Sequence, residues 1–167
     1  MFTVAVAAVV FILPGCGGGD DGPDAGPPAL TLGTGFEGFE PLADGADVWI
    51  IQGPQGGFHF IGSIRASGIE TGNPDDLRDP SNPTTEFSVF RGTDRVDLGA
   101  ANYTQGLDPV AGTSEYEMIG RLVILDIQAD DELDGVELRF DAEVVDANGV
   151  RVTDTRTVVG VPHPANL

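Results

Sequence analysis

The side chains with the most capacity for chemistry in this sequence are its carboxylates, and they are densest in Asp130-Asp131-Glu132-Leu133-Asp134-Gly135. Aligned with a calcium-binding loop, Asp130, Glu132, Asp134, Gly135 and Asp141 fall at the first, third, fifth, sixth and twelfth positions. Those are the places where a hard cation takes oxygen ligands and the backbone takes a sharp glycine turn. Two positions depart from the helix-flanked form of that loop: Glu at the third, and Asp in place of a bidentate Glu at the twelfth. The flanking residues alternate as strands do, which excludes a helix–loop–helix. One expectation is an inter-strand loop in which Asp130, Glu132 and Asp134 hold Ca²⁺ weakly, as extracellular modules do. The plainer expectation, which is preferred, is an acidic turn with solvated carboxylates.

Other chemistries run short of residues. The chain has two His, His59 and His163, and one Cys, Cys16, whereas a zinc or copper site gathers three or four N or S ligands. His163 lies in a Pro-containing tail. His59 shares a strand face with Ser63 and Arg65, so an exposed position is expected. No Gly-x-Ser-x-Gly elbow marks a nucleophile. No catalytic residue is assigned, and the chain is expected not to be an enzyme.

Charge narrows the partners. The net charge is −19, with 27 acidic residues against eight basic ones, all of them Arg. Such a surface repels phosphate backbones and anionic headgroups, so no nucleic acid and no electrostatic membrane docking are expected. It suits solubility, or a cationic partner.

The way to a membrane lies instead at the start of the chain. Phe2 to Leu13 is apolar apart from Thr3, too short for a spanning helix and of the length of a signal-peptide apolar region. Leu13-Pro14-Gly15-Cys16 follows, and here the chain resembles bacterial lipoprotein precursors, whose lipobox ends in a small residue and then the lipidated Cys. Leu13, Gly15 and Cys16 match. Pro14 departs from the pattern, and no Lys or Arg precedes the apolar run, as it would if the start codon were assigned too far downstream. The resemblance covers residues 1–16 and implies a signal peptide over 1–15, lipid on Cys16 and an envelope location. The same resemblance implies the outer membrane rather than the inner, since Gly17 and not Asp follows the Cys. A lone thiol in an exported chain wants such an explanation. Residues 16–28 then read as a disordered tether, since the Gly, Asp and Pro that follow Cys16 offer nothing to bury.

The domain expected over 29–167 is long enough to bury a core, and the 24 Gly and 12 Pro of the whole chain imply many turns. Its centre is a predicted hairpin from Asp47 to Ser67. In the second arm Phe58, Phe60, Gly62, Ile64 and Ala66 share one face, the period of two of a half-buried strand. The first arm is apolar at Val48, Trp49, Ile50 and Ile51, which predicts cover on both faces. Leu30-Thr31-Leu32 and Thr85 to Arg91 alternate likewise. Tyr116 to Ile127 reads as a long strand with a bulge at Gly120. Val136, Leu138, Phe140, Ala142 and Val144 point inward on another. A three-residue turn at Ala147-Asn148-Gly149 keeps Val144 opposite Val152, with Gly149 at positive φ and both Val150 and Val152 buried.

These seven or eight strands resemble an antiparallel, immunoglobulin-like or fibronectin-like β-sandwich. The cysteine pair of antibody domains is absent, and Trp49 is expected to plug the core. Gln55-Gly56-Gly57-Phe58-His59 is similar to a segment of acidic bacterial lipoproteins and implies no function. The expectation is a lipid-anchored, monomeric, non-enzymatic module acting by protein contacts or in envelope structure, its protein partner unspecified. The alternative is an extracytoplasmic calcium- or carbohydrate-binding module. A groove lined by aromatics would favour carbohydrate, with Trp49, Tyr103 and Tyr116 at hand.

Overall fold

Period-two sequence becomes strand in the computed structural model, which describes residues 26–166. The leader, Cys16 and most of the expected tether lie outside the described residues. The strands are β1 (Ala29–Thr34), β2 (Glu40–Pro41), β3 (Ala46–Gln52), β4 (Phe58–Ser67), β5 (Thr84–Arg91) and β6 (Asp94–Arg95), then β7 (Asn102–Thr104), β8 (Asp108–Pro109), β9 (Tyr116–Ile124), β10 (Glu137–Val145) and β11 (Arg151–Pro162). A single 3₁₀ turn, Asp130–Glu132, is the one helical element among the described residues. The first strand begins at Ala29, one residue before the alternating Leu30-Thr31-Leu32. Eleven strands stand where seven or eight were predicted because four of them, β2, β6, β7 and β8, are two or three residues long. Such short strands carry no readable period.

The strands form two layers. One runs β2-β1-β4-β9-β8, and the other runs β3-β11-β10-β5, with β6 and β7 both on the outer edge of β5. This is the strand order of an immunoglobulin-like sandwich. It is not purely antiparallel: β3 lies parallel to β11, from Val158 opposite Ala46 to Pro162 opposite Ile50.

That parallel pair explains what became of the predicted hairpin. The arms β3 and β4 pair only at their tips, Ile51 with His59 and Gln52 with Phe58, and then splay into different layers. The arm β3 is covered on one face, not two. Val48 and Ile50 are buried, while Trp49 is 47% exposed. Trp49 therefore does not plug the core. Phe60, Phe87 and Phe140 fill that place, with Phe140 centred 5.9 Å from Phe60 and 6.0 Å from Phe87. Gly62 makes room for them, because a Cβ there would lie 2.9 Å from two carbons of the Phe87 ring.

Elsewhere the alternation holds. Leu138, Phe140, Ala142 and Val144 are all buried on β10. The last turn pairs Val144 with Val152, Gly149 has φ +81°, and the Asp146 N–H donates to Val150 O at 3.0 Å. Val150 itself closes the turn and stays exposed, against expectation. On β9 the register shifts between Gly62 and Ile64, so Ile119 and Gly120 bulge opposite Ser63, with Gly120 at φ +73°. Beyond the bulge Leu122 is 41% exposed and Val123 buried, so the apolar run Leu122–Leu125 still alternates.

Candidate functional site

The acidic run forms the 3₁₀ turn and caps itself. Glu132 Oε1 accepts the N–H groups of Gln128 and Ala129 at 2.6 and 3.0 Å, and Asp130 Oδ2 accepts Asn166 Nδ2–H at 2.7 Å. Asp134 is exposed beyond the turn, and Asp141 lies on β10, where Arg139 Nε donates to it at 3.0 Å. Among the described residues no group of three or more His, Cys, Asp or Glu side chains stands ready to hold a metal. The spacing that suggested a cation loop makes a tight turn in which Glu132 binds backbone and Asp130 binds the tail.

His59 is half-buried, not exposed, in a groove of about 520 Å³ with Pro54, Leu122 and Ile124. Burial holds its imidazole below the ordinary pKa. A smaller hollow of about 300 Å³ lies on the outer face of β5, β10 and β11, among Glu86, Asp141, Glu143 and Thr153. Its carboxylates are already paired, Glu86 with Arg95, Asp141 with Arg139 and Glu143 with Arg151.

The site that joins exposed aromatic rings to a carboxylate lies where the two layers meet at β3. On that strand Val48 and Ile50 face the core, so Trp49 projects the opposite way. The chain after β11 runs on beside the end of β3, in the same direction: the His163 N–H donates to Ile50 O at 3.0 Å. Asn166 then clamps the same stretch, giving its Nδ2–H to Ile50 O and taking the Gln52 N–H on Oδ1, both at 2.9 Å. This strap sets the His163 ring edge-on to Trp49, with centroids 5.4 Å apart and planes at 79°. Two aromatic walls thus meet near a right angle. His163 Nδ1 accepts the Ala165 N–H at 3.2 Å, which leaves the proton of the neutral ring on Nε2.

Phe36 supplies the third wall from the bend between β1 and β2 and is 72% exposed. The bend is fixed beneath. Gly35 has φ +100°, and a Cβ there would meet Gly38 O at 2.0 Å, so only glycine turns here. Ser63, fully buried on β4, donates its hydroxyl to Gly35 O at 3.1 Å and accepts the Gly120 N–H at 3.0 Å. One hydroxyl therefore ties the Phe36 bend to the β9 bulge.

The groove between these rings measures about 230 Å³, with Ile51 and Ile61 among its lining residues and Glu40 of β2 at its side. Ile61 is 6% exposed yet stands outside the core cluster, because the residues of this groove cover it. Phe36 was not singled out in the sequence, His163 was weighed only as a metal ligand, and Trp49 was assigned to the core. The one local signal was Phe36 itself, a large apolar residue placed among turn-forming glycines. No protein-family model matches the chain, and no curated protein matches it.

Proposed function

We propose that the chain is a lipid-anchored module of a bacterial cell envelope, non-enzymatic and acting by binding. The observation that carries this reading is one of placement. The Gly, Asp and Pro run that follows Leu13-Pro14-Gly15-Cys16 ends where β1 begins, at Ala29. A lipidated Cys16 would hold the sandwich on a tether of 12 residues, Gly17 to Pro28, reaching about 40 Å at roughly 3.3 Å per residue. Gly17 after the Cys favours the outer membrane. The acidic coat keeps the tethered domain off anionic headgroups, leaving its surface to a partner.

The test is membrane fractionation with intact mass. Cys16→Ala is expected to release the protein from the membrane fraction or leave it unprocessed. Unchanged fractionation and mass would remove the anchor from this reading.

A small-ligand role gains support from the groove of Phe36, Trp49 and His163, although of the rings the carbohydrate alternative counted on only Trp49 lines it, Tyr103 and Tyr116 packing against the core.

A further inference from the structure

We propose that the groove formed by Phe36, Trp49, His163 and Glu40 binds a quaternary ammonium group. A cation over an aromatic face is drawn to the ring quadrupole, and several faces around one carboxylate make an organic-cation site. Trp49 and His163 supply two walls at 79°, Phe36 a third, and Glu40 the counter-charge. The whole molecule adds a field of net charge −19, which concentrates cations at its surface.

The polar inventory decides between cations, and between a cation and a sugar. Thr34 also lines the groove; it gives its O–H to Ile61 O at 3.0 Å and keeps only the lone pairs of a neutral hydroxyl as acceptors. Glu40 is then the one lining side chain left to accept hydrogen bonds strongly. A Lys ammonium brings three N–H donors and an Arg guanidinium five, and donors left unpaired on burial cost affinity. A sugar needs several directed bonds for its hydroxyls, and beside Glu40 and Thr34 the lining side chains offer only the ring N–H groups of Trp49 and His163. A quaternary ammonium has no N–H to satisfy, so rings and one carboxylate suffice. The inference is independent of the lipid anchor.

Trp49 is the sole Trp of the chain, so indole fluorescence reads this site directly. The full-length protein is titrated with tetramethylammonium chloride and with choline chloride, at constant ionic strength made up with NaCl. Glucose serves as the sugar arm. A saturable change with a dissociation constant on the order of 1–10 mM is expected for both cations, and none for NaCl or glucose. Glu40→Gln and Phe36→Ala should each weaken binding by about two- to fivefold. Both residues are exposed, and an unchanged thermal melt checks the fold. Phe36→Leu, which keeps apolar bulk and removes the ring, should weaken binding as Phe36→Ala does. Glycerophosphocholine separates two sources of the same group. Binding as tight as choline's assigns a lipid headgroup, and binding several-fold weaker, from repulsion between its phosphate and Glu40, assigns a small free quaternary ammonium compound. A fluorescence response that is equal for sodium and tetramethylammonium would overturn the proposal. So would a response unaltered by all three substitutions, or one given by glucose alone.

Discussion

Ser63→Ala removes one oxygen from a fully buried position and strips two backbone groups of their partner. The Gly35 carbonyl loses a donor at 3.1 Å, and the Gly120 N–H loses its acceptor at 3.0 Å. A buried group left unsatisfied costs about 1–3 kcal/mol, more than the net worth of the bond itself. The Gly35 carbonyl lies in a surface bend and recovers part of this from water, so the sum comes to about 2 kcal/mol. Unfolding entropy near 2.1 cal/mol/K per residue, over roughly 140 residues, gives about 0.3 kcal/mol/K, and hence a drop in Tm of about 7 °C. The control is Ser67→Ala on the same strand, whose hydroxyl makes one 3.4 Å bond to Pro27 O and whose loss should stay within about 0.5 kcal/mol. Calorimetry measures both variants, and amide exchange at Gly120 should quicken in Ser63→Ala alone. A Ser63→Ala melt no lower than that of Ser67→Ala would refute the idea that this hydroxyl holds the bend to the bulge.

Three further outcomes follow from contacts already described. Burial alone would push the Asp146 carboxyl up, but N–H groups of Glu70, Val150, Asn148 and Gly149 hold its pKa below the ordinary carboxylate value. Its contribution to stability is therefore present above the unfolded pKa of about 3.9 and lost as pH falls through the lower folded value. Thermal melts should lose stability in that window, and Asp146→Asn should flatten the loss; an equal slope in both proteins would contradict it. Gly62→Ala sets a methyl 2.9 Å from the Phe87 ring and should cost about 1–3 kcal/mol by overpacking. Phe87→Leu in the same chain should recover part of that loss, and a purely additive double variant would argue against the contact. Because Glu132 and Asp130 already bind backbone and tail, several millimolar Ca²⁺ should leave the melting temperature unchanged. A calcium-dependent rise would restore the cation loop.

The parts of the fold legible in sequence were those whose burial is decided by neighbouring residues. On β10 the pattern Leu138, Phe140, Ala142, Val144 announced both strand and face, and hydrophobic register alone selected the pairing of Val144 with Val152. Gly120 stood where two patterns met, and the bulge is there. The reading failed where partners come from far away. Val48 to Ile51 looked covered on both sides because an apolar run does not reveal what lies opposite its outward residues. For β3 the outward side is a groove open enough to leave Trp49 half in solvent. The groove itself was hidden for the same reason. Its residues come from a bend, a two-residue strand, an outward strand position and the stretch after the last strand. No spacing rule links Phe36 and Glu40 to Trp49 and His163, and only the parallel register of β3 with β11 brings them together.

That register also orders events in time. Residues of β3 find their long partner more than a hundred residues further along, in β11, and until then they have only the two pairs at the tip of β4. Contacts so remote in sequence form late, and topologies dominated by them fold in milliseconds to seconds rather than microseconds. A chain still emerging from a ribosome, with Arg151–Pro162 not yet available, presents β3 and β10 as two open edges with apolar faces. Open edges of that kind recruit strands from neighbouring chains. The final stretch of sequence thus acts as a completion signal: the second layer seals only when the last strand slides between the first strand of that layer and β10.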